Sequence, residues 1–400
     1  MRRVITMKKL VLFGAGKIGR SFIGQLFATS GFEVVFVDIS EPVIRELNRL
    51  NEYRVVIKSS QPDLIINVGN VRGILAGELD KVAEELSTCD IAAISVGQKG
   101  LPQAINTLAK GLILRQKRSG NKPLDVILAE NMHNADKYAK DILISIVGSE
   151  YPVDDLVGLI ETSIGKMVPI MPKEEQENDP LLVYAEPYNT LILDKKAFKN
   201  LIPDVKGLAP KDNMKAWVDR KSHIHNFGHA AAAYAGFLAD PSVQFMAEIL
   251  KIHNVKKFTR SAMLQSANVL LKKHPGEFSL VELTEHIDDL LGRFENHALG
   301  DTVFRVGCDL KRKLYRDDRI LGPLIDGIQT KSPVDKILMA FSYGLQFLAK
   351  DENGNVFPGD DYFSKAISEK GLPFVLTSLC GLIPTEDQGI INYILSAVRL

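Results

Sequence analysis

Residues 8–38 read KKLVLFGAGKIGRSFIGQLFATSGFEVVFVD, and this stretch sets the fold of the first half of the chain. The apolar run 10–13 is typical of a strand buried on both faces, and a glycine ends it. Apolar side chains then recur at helical spacing, and the run 33–38 indicates a second strand. A strand, a helix and a second strand in this order predict a right-handed parallel crossover.

The turn after the first strand is a GxGxxG fingerprint. In a dinucleotide site, the first glycine allows the tight turn, the second admits the pyrophosphate and the third lets the helix pack against the strand. The helix that begins there offers its first amides to phosphate. The cofactor contacts predicted from this turn are Gly14, Ala15, Gly16, Lys17, Ile18 and Gly19.

Asp38 closes the second predicted strand. A carboxylate at that place accepts hydrogen bonds from a ribose 2′-hydroxyl and repels a 2′-phosphate, which favours NAD over NADP. Two other interpretations stay open: a glycine-rich turn without a ligand, and FAD, which uses the same fingerprint.

Strands and helices continue to alternate after this unit. Apolar runs at 90–96, 125–129 and 156–161 indicate strands, with a helix predicted over 102–114. The pattern predicts an N-terminal Rossmann-type, doubly wound α/β domain over residues 1–200 that binds NAD. Val96 and Gly97, at the end of one strand, extend the predicted cofactor site.

The sequence pattern changes after about residue 170. Residues 172–180 are polar and predict an exposed loop, and short strands are predicted at 181–184 and 191–193. Segments with a period of about 3.6 residues then follow at 214–237, 241–252, 259–273 and 280–293. They predict a mostly α-helical substrate and catalytic domain over residues 201–400.

Composition limits the partners. The chain has 400 residues, with 49 Lys plus Arg against 49 Asp plus Glu, so nothing favours nucleic acid. Its three cysteines are widely spaced and suggest neither disulfides nor a cysteine zinc site. No apolar run approaches the roughly 20 residues of a membrane span. A cytoplasmic protein is expected.

The segment 221–229, KSHIHNFGH, lies in a predicted helix. At about 100° per residue, Asn226 and His229 lie about 60° apart, with Lys221 about 80° from His229. A lysine acts as a base for an alcohol proton only if burial or nearby positive charge lowers its pKa. Asn226 would then bind the reacting oxygen, and His229 would orient the lysine or bind a substrate hydroxyl.

Other interpretations of this segment remain. Lysines on helices are usually solvated, and histidines among apolar residues are often core groups. His225 and His229 have the spacing of a metal pair. No glutamate follows His225 and no cysteine lies close in sequence, so no metal is predicted.

Lys221, Asn226 and His229 form Lys-x4-Asn-x2-His, and here the chain resembles the polyol-specific long-chain dehydrogenases. The resemblance includes FGAGKIGR at 13–20, AENM at 129–132, LGRFEN at 291–296 and the stretch 301–320. It implies metal-free, NAD-linked interconversion of mannitol 1-phosphate and fructose 6-phosphate, with Lys221 as the general base. It further implies that Asn131 and Asn226 flank the reactive oxygen, and it suggests a monomer.

The stretch 301–320 is rich in cations, and the resemblance places it at the polyol end of the site. A sugar phosphate needs at least one fixed cation, for which arginine has bidentate geometry. Arg305, Arg312 and Lys313 are the predicted phosphate ligands, and a solvated basic face is the alternative.

The chain departs from the family pattern at two places. Gly165 and Lys166 stand where family members commonly have aspartate and arginine, and the residues after Glu186 differ, although Glu186 itself matches. Glu186 is therefore a predicted substrate contact. The departures leave open another sugar alcohol, or a hexuronate of the tagaturonate or fructuronate type, as the substrate. A non-catalytic NAD-binding redox sensor is a further alternative.

Overall fold

The computed structural model describes residues 7–132 and 134–398. They divide into two compact units, the first ending at Trp217 and the second beginning at Val218. The boundary predicted near residue 200 falls short of this division, because Leu208–Lys211 still belongs to the sheet of the first unit.

The first unit contains all the named strands. They are β1 (Lys9–Phe13), β2 (Glu33–Asp38), β3 (Glu52–Ile57), β4 (Leu64–Gly69), β5 (Val71–Leu75), β6 (Ile91–Ile94), β7 (Leu124–Leu128), β8 (Val157–Ser163), β9 (Val183–Ala185), β10 (Leu191–Asp194) and β11 (Leu208–Lys211). Its helices are α1 (Gln25–Thr29), preceded by a π-helical segment Gly19–Gly24, then α2 (Glu41–Leu50), α3 (Leu79–Thr88), α4 (Leu101–Ser119), α5 (Ala135–Val147), α6 (Val153–Leu156) and α7 (Lys173–Asn178).

The large sheet has the order β11-β10-β8-β7-β6-β1-β2-β5, and β4-β3-β9 form a second sheet. The strands from β8 to β5 pair in parallel, whereas β10 runs antiparallel to β8. The strand order reverses at β1, so the carboxyl ends of β1, β2 and β6 border a crevice. The Rossmann-type doubly wound domain is thereby confirmed.

Side chains of β1 alternate between two cores. Leu10 and Leu12 pack in one apolar cluster, and Val11 and Phe13 pack in the other, on the opposite face of the sheet. A strand buried on both faces explains the continuous apolar run from which it was predicted.

Two regions of this unit differ from the prediction. The predicted loop 172–180 contains the helix Lys173–Asn178, whose side chains are all at least partly exposed. The β3–β4 hairpin was not predicted, because Leu64 and Ile65 of β4 are more than half exposed and its apolar residues do not alternate with polar ones.

The second unit is built of helices, as predicted. After α8 (Met214–Arg220), which crosses the division, and a π-helical segment Lys221–Asn226, it contains α9 (Phe227–Ala239), α10 (Met246–Ile249), α11 (His253–Lys273), α12 (Leu280–Phe294), α13 (Val303–Gly307), α14 (Leu310–Lys313), α15 (Leu321–Gln329), α16 (Asp335–Leu345), α17 (Asp360–Phe374) and α18 (Pro384–Ala397). A 3₁₀ turn His297–Leu299 and a third π-helical segment Val375–Leu379 complete it.

Helix α9 lies at the centre of this unit. Its residues 230–236 are all buried, and a Cβ on Gly228 would come within 2.4 Å of Met263 Sδ on α11. The small residues of α9 therefore let neighbouring helices approach closely. Among the described residues, none of the helices has the length and hydropathy needed to cross a bilayer.

Candidate active site

The glycine turn has the geometry of a phosphate-binding loop. Gly14 has φ +97°, and a Cβ there would lie 2.1 Å from the carbonyl oxygen of Ser95. A Cβ on Gly19 would lie 2.0 Å from the carbonyl oxygen of Gly14, so both positions exclude a side chain. Gly16 is exposed and a Cβ there would meet nothing within 4 Å. The absence of a side chain at Gly16 therefore matters only for a ligand that approaches the turn from solvent.

A cavity of about 330 Å³ opens beside this turn. It is bounded by the ends of β1, β2 and β6 and by the first turns of α4, and its walls are mostly apolar. The lining residues are Phe13, Gly14, Gly16, Val37, Asp38, Ile39, Ala76, Ser95, Val96, Gly100, Gln103, Ala104 and Thr107.

Asp38 is fixed at the rim of the cavity. Its Oδ2 accepts a 2.6 Å hydrogen bond from the amide of Ala15, and its Oδ1 accepts a 2.8 Å bond from the amide of Ser40. Each carboxylate oxygen has a second lone pair, so these bonds orient the group without exhausting it.

Glu130 lies at the neighbouring strand ends. Its Oε1 accepts hydrogen bonds from the amides of Val96 at 2.8 Å and Gly97 at 3.0 Å, and burial raises its pKa. The two residues predicted to bind cofactor thus give their amides to a carboxylate, although the side chain of Val96 lines the cavity. Asn131 follows β7 and is exposed.

In the second unit, the lysine motif departs from the straight α-helix that the sequence predicted. Lys221–Asn226 is π-helical, and the amide of Phe227 donates to the carbonyls of Ser222, five residues back, and of Ile224. Because a π-turn closes on the fifth residue, Lys221 and Asn226 approach the same face, whereas α-helical geometry separates them by about 140°. The continuous α-helix predicted for this segment was therefore wrong over these six residues.

Lys221 is partly buried, and its pKa is lowered to about 8. Burial is the main cause and the positive charge of Arg319 is the second, while Asp318 opposes them. Arg319 is held in place by Asp318, whose Oδ1 accepts a 2.7 Å bond from its Nε. About a tenth of the protein molecules consequently carry Lys221 as the neutral amine at pH 7.

His229 is the centre of a second group of contacts. Its ring stacks on Phe294 with centroids 4.4 Å apart, and its Nε2 lies 3.4 Å from Asp301 Oδ2 without the alignment of a hydrogen bond. Asp301 also pairs with Arg305. Burial, followed by the charges of Arg305 and Arg319, holds the pKa of His229 well below its ordinary value, so the imidazole is neutral.

The predicted phosphate ligands have different surroundings. The side chain of Arg305 is about half exposed. Lys313 is buried and donates to the carbonyls of Val306 at 2.6 Å and Arg305 at 3.4 Å, and its pKa is lowered to about 8 by burial and then by Arg319. Arg312 is half exposed and pairs with Asp309 at 2.5 Å. Arg305, Lys313 and Arg319 all act electrostatically on His229, and Arg312 is not among the principal groups that do.

The departures from the family pattern lie together in the first unit. Lys166 is buried, donates a 2.9 Å hydrogen bond to Asn189 Oδ1 and lies 5.2 Å above the ring of Phe22. Glu186, which is fully buried, accepts a hydrogen bond from the amide of Met167. A Cβ on Gly165 would make only ordinary contacts, at 3.6 Å from Tyr188.

Histidine spacing had raised the alternative of a metal site. The rings of His225 and His229 have centroids 6.5 Å apart, and Phe294 packs against both. In the part of the chain that the structure describes, no three His, Cys, Asp or Glu side chains are grouped to hold a metal ion.

Arg319 and Asp301 were missed as site residues. Arg319 stood in the cationic stretch but had nothing in sequence to separate it from its neighbours. Asp301 precedes that stretch, and its role depends on contacts with His229 and Arg305 that only the fold brings about. Phe294, in LGRFEN, is found through its stacking on His229.

The fold is similar to that of a solved mannitol 2-dehydrogenase. A Pseudomonas fluorescens mannitol 2-dehydrogenase, solved as a ternary complex with NAD and D-mannitol, superposes with a TM-score of 0.75 at 15% identity, covering 98% of this chain and 92% of that chain. A probable 2-dehydropantoate 2-reductase from Bacillus subtilis gives 0.46 at 12% identity, over 84% of this chain and 98% of that chain. The 2-dehydropantoate 2-reductase from Geobacter metallireducens gives 0.46 at 16% identity, over 84% and 99%.

Family comparison covers most of the sequence. Residues 8–207 match the mannitol dehydrogenase Rossmann domain, and residues 213–373 match the mannitol dehydrogenase C-terminal domain. These matches confirm the resemblance to polyol dehydrogenases that the lysine motif indicated. The chain belongs to the mannitol dehydrogenase family.

Proposed function

We propose that the protein is an NAD-dependent dehydrogenase that interconverts D-mannitol 1-phosphate and D-fructose 6-phosphate, with Lys221 as the general base. The observation that carries the proposal is the lowered pKa of Lys221, about 8, on the same π-turn as Asn226. An amine of that pKa beside an amide donor is suited to removing a hydroxyl proton and binding the resulting oxygen.

The first unit fits NAD. Gly14 and Gly19 leave no room for a Cβ, Gly16 is exposed to an incoming pyrophosphate, and Asp38 is oriented at the cavity rim to accept bonds from ribose. Ile39, 89% exposed beside the cavity, offers an apolar surface to an adenine ring. When bound, NAD supplies the hydride acceptor of the reaction.

In the second unit, Lys221 takes the proton of the substrate hydroxyl and passes it to solvent before the next turnover. Asn226 donates a hydrogen bond to the oxygen as its charge changes. Asn131, which belongs to the first unit, is proposed as a second donor. His229 is neutral, so it binds a substrate hydroxyl without adding charge beside the amine. Arg319 favours the neutral form of Lys221 electrostatically.

Cations near His229 support a phosphorylated substrate. Arg305 has a half-exposed side chain, and Lys313 has one ammonium proton left after its two carbonyl bonds. Arg312, exposed and paired with Asp309, is the weakest of the three proposed ligands.

A panel of oxidised substrates tests the proposal. Purified protein is mixed with NADH and, separately, fructose 6-phosphate, fructose, tagaturonate or fructuronate, and nicotinamide absorbance is followed. We expect turnover with fructose 6-phosphate and little with fructose. Turnover with a hexuronate alone would replace the substrate assignment, and NADH binding without turnover on any member would contradict the enzyme assignment.

The second candidate is the same chemistry on another sugar alcohol or a hexuronate. It is favoured by Lys166, which places a buried ammonium beside Gly165 and Asn189 in the first unit. A carboxylate-bearing substrate would gain from such a cation. Lys166→Met should abolish turnover of a hexuronate but should have little effect on fructose 6-phosphate held by Arg305.

A further inference from the structure

The π-turn that carries Lys221 requires an explanation. π-helical turns are rare and short, and they occur mostly as single turns inside α-helices. The flanking helices α8 and α9 are α-helical, so the interruption is confined to Lys221–Asn226. Something outside these six residues has to favour the π register over a continuous α-helix.

Ser266 provides the first part of the explanation. In a continuous α-helix the amide of Phe227 would donate to the carbonyl of His223, four residues back. Here it donates to the carbonyls of Ser222 and Ile224, and the carbonyl oxygen of His223 accepts a 2.6 Å hydrogen bond from Ser266 Oγ. Ser266 is fully buried on α11. Its hydroxyl therefore replaces the amide that the π register removes, as a buried carbonyl requires.

The side chain of His223 is fixed as well. Its Nε2 lies 2.6 Å from Oδ2 of Asp326 on α15, and the imidazole is only 5% exposed. Because a carboxylate only accepts, the bond orients the ring with its proton on Nε2. The central residue of the π-turn is thus held through its backbone by α11 and through its side chain by α15.

A lysine connects the two sides of the turn. Lys273 Nζ lies 2.6 Å from Asp326 Oδ2 and 2.9 Å from Asp219 Oδ2. His274 Nε2 lies 2.8 Å from the same oxygen of Asp219. Asp219 precedes Lys221 by two residues and His223 follows it by two. Lys221 consequently lies in sequence between Asp219 and His223. The ammonium group of Lys273 contacts Asp219 directly and contacts His223 through Asp326.

We propose that Ser266, Asp326 and Lys273 act as positioning residues, a π-turn clamp that holds Lys221–Asn226 in the π register and directs Lys221 and Asn226 to the same face. None of the three bears the chemistry itself. Their catalytic consequence rests on the proposed function, whereas their hold on the π-turn does not depend on it. The clamp explains how a catalytic lysine is kept in register by residues remote from it in sequence.

Ser266→Ala tests the clamp with a change of one oxygen atom. The matched control is Ser261→Ala on the same helix, since Ser261 Oγ donates to Lys257 O within its own helix. Amide hydrogen exchange is measured across residues 222–231 of the full chain. We expect about a tenfold faster exchange in Ser266→Ala, because one hydrogen bond of the turn is lost, and no change in the control.

Kinetics provide a second measurement on the same variants. With the substrate identified by the panel, kcat should fall about tenfold in Ser266→Ala, with the KM for NADH unchanged. The pH at which kcat levels off should rise above about 8. A loosened turn exposes Lys221 to water, and the loss of burial raises its pKa. A global loss of packing would instead change the KM for NADH and lower the melting temperature together with kcat.

The outcomes separate the two proposals. Unchanged exchange across 222–231 in both Ser266→Ala and Asp326→Asn would overturn the clamp, whatever the activity. Faster exchange with no shift in kcat or in the pH limb would overturn its positioning role. If the wild-type protein turns over no member of the panel, the proposed function fails while the exchange result still decides the clamp.

Discussion

The pH dependence of polyol oxidation tests the role of Lys221 quantitatively. With a pKa of about 8 rather than the ordinary 10.5, about one Lys221 in eleven is neutral at pH 7, instead of roughly one in three thousand. The protein environment thus increases the fraction of Lys221 that is neutral amine at pH 7 by roughly 300-fold. The rate should rise about tenfold per pH unit below pH 7 and level off above about pH 8, because only the neutral amine accepts the proton.

The assay is initial NADH formation from mannitol 1-phosphate and NAD, between pH 6 and 10, at saturating substrate. Arg319→Gln should raise the pKa of Lys221 and move the limb to higher pH, because it removes the second cause of the shift. Lys311→Gln, which removes an exposed charge from the same stretch, is the control. A rate that does not change between pH 6 and 9 would show that the protonation of Lys221 does not set the pH dependence. An equal shift of the profile in Arg319→Gln and Lys311→Gln would show the same.

Three further predictions concern the cofactor site and the clamp. Gly16→Ala should leave the melting temperature unchanged, as its Cβ meets nothing within 4 Å, yet weaken NADH binding at least tenfold in a fluorescence titration. Asp38→Ala should reduce the preference for NAD over NADP in kcat/KM, since the ribose loses its acceptor. Asp326→Asn should lower the free energy of unfolding at pH 7 by about 1–3 kcal/mol in urea titrations, with the difference shrinking below about pH 4.

The sign of the last prediction follows from the pKa of Asp326. Burial alone would raise it, but the hydrogen bond from His223 and the ammonium of Lys273 outweigh burial and hold it below its ordinary value. A carboxyl with a depressed pKa in the folded state contributes stability above its unfolded pKa, and loses it as pH falls through the folded value. A difference from wild type that persists undiminished at pH 2 would contradict this origin.

Gly69, at the end of β4, provides the control for Gly16→Ala. Like Gly16 it has no positive φ, and a Cβ there would meet nothing within 4 Å, so Gly69→Ala makes the same change away from the cavity. Unaltered NADH affinity in Gly16→Ala would show that the cofactor does not approach this turn. An unaltered NAD to NADP ratio in Asp38→Ala would exclude a contact with ribose.

The first strands were predictable because burial on both faces leaves a direct trace in sequence. Residues 10–13 of β1 and 34–37 of β2 are uninterrupted apolar runs, and Gly14 and Gly19 after β1 have no room for a Cβ. β4 has no comparable sequence signal, because its apolar residues Leu64 and Ile65 face solvent rather than a core.

The lysine motif was predicted in composition but not in geometry. A period of 3.6 residues describes both sides of the π-turn, and the insertion within it is set by Ser266 and Asp326, which lie far along the chain. Arg319 likewise became distinct from other cations only through its position near Lys221 and His229. The sequence therefore indicated the residues that are proposed to react, while long-range contacts determine their surroundings and the pKa of Lys221.

A comparison of Lys221→Ala with Lys215→Ala, which alters an exposed lysine of α8, decides whether Lys221 is the base. NADH affinity and turnover with the panel's best substrate are measured on both proteins. We expect wild-type NADH affinity in both and a loss of turnover of at least about a thousandfold in Lys221→Ala alone, a typical cost of removing a general base. Turnover within about tenfold of wild type in Lys221→Ala would exclude this amine as the proton acceptor.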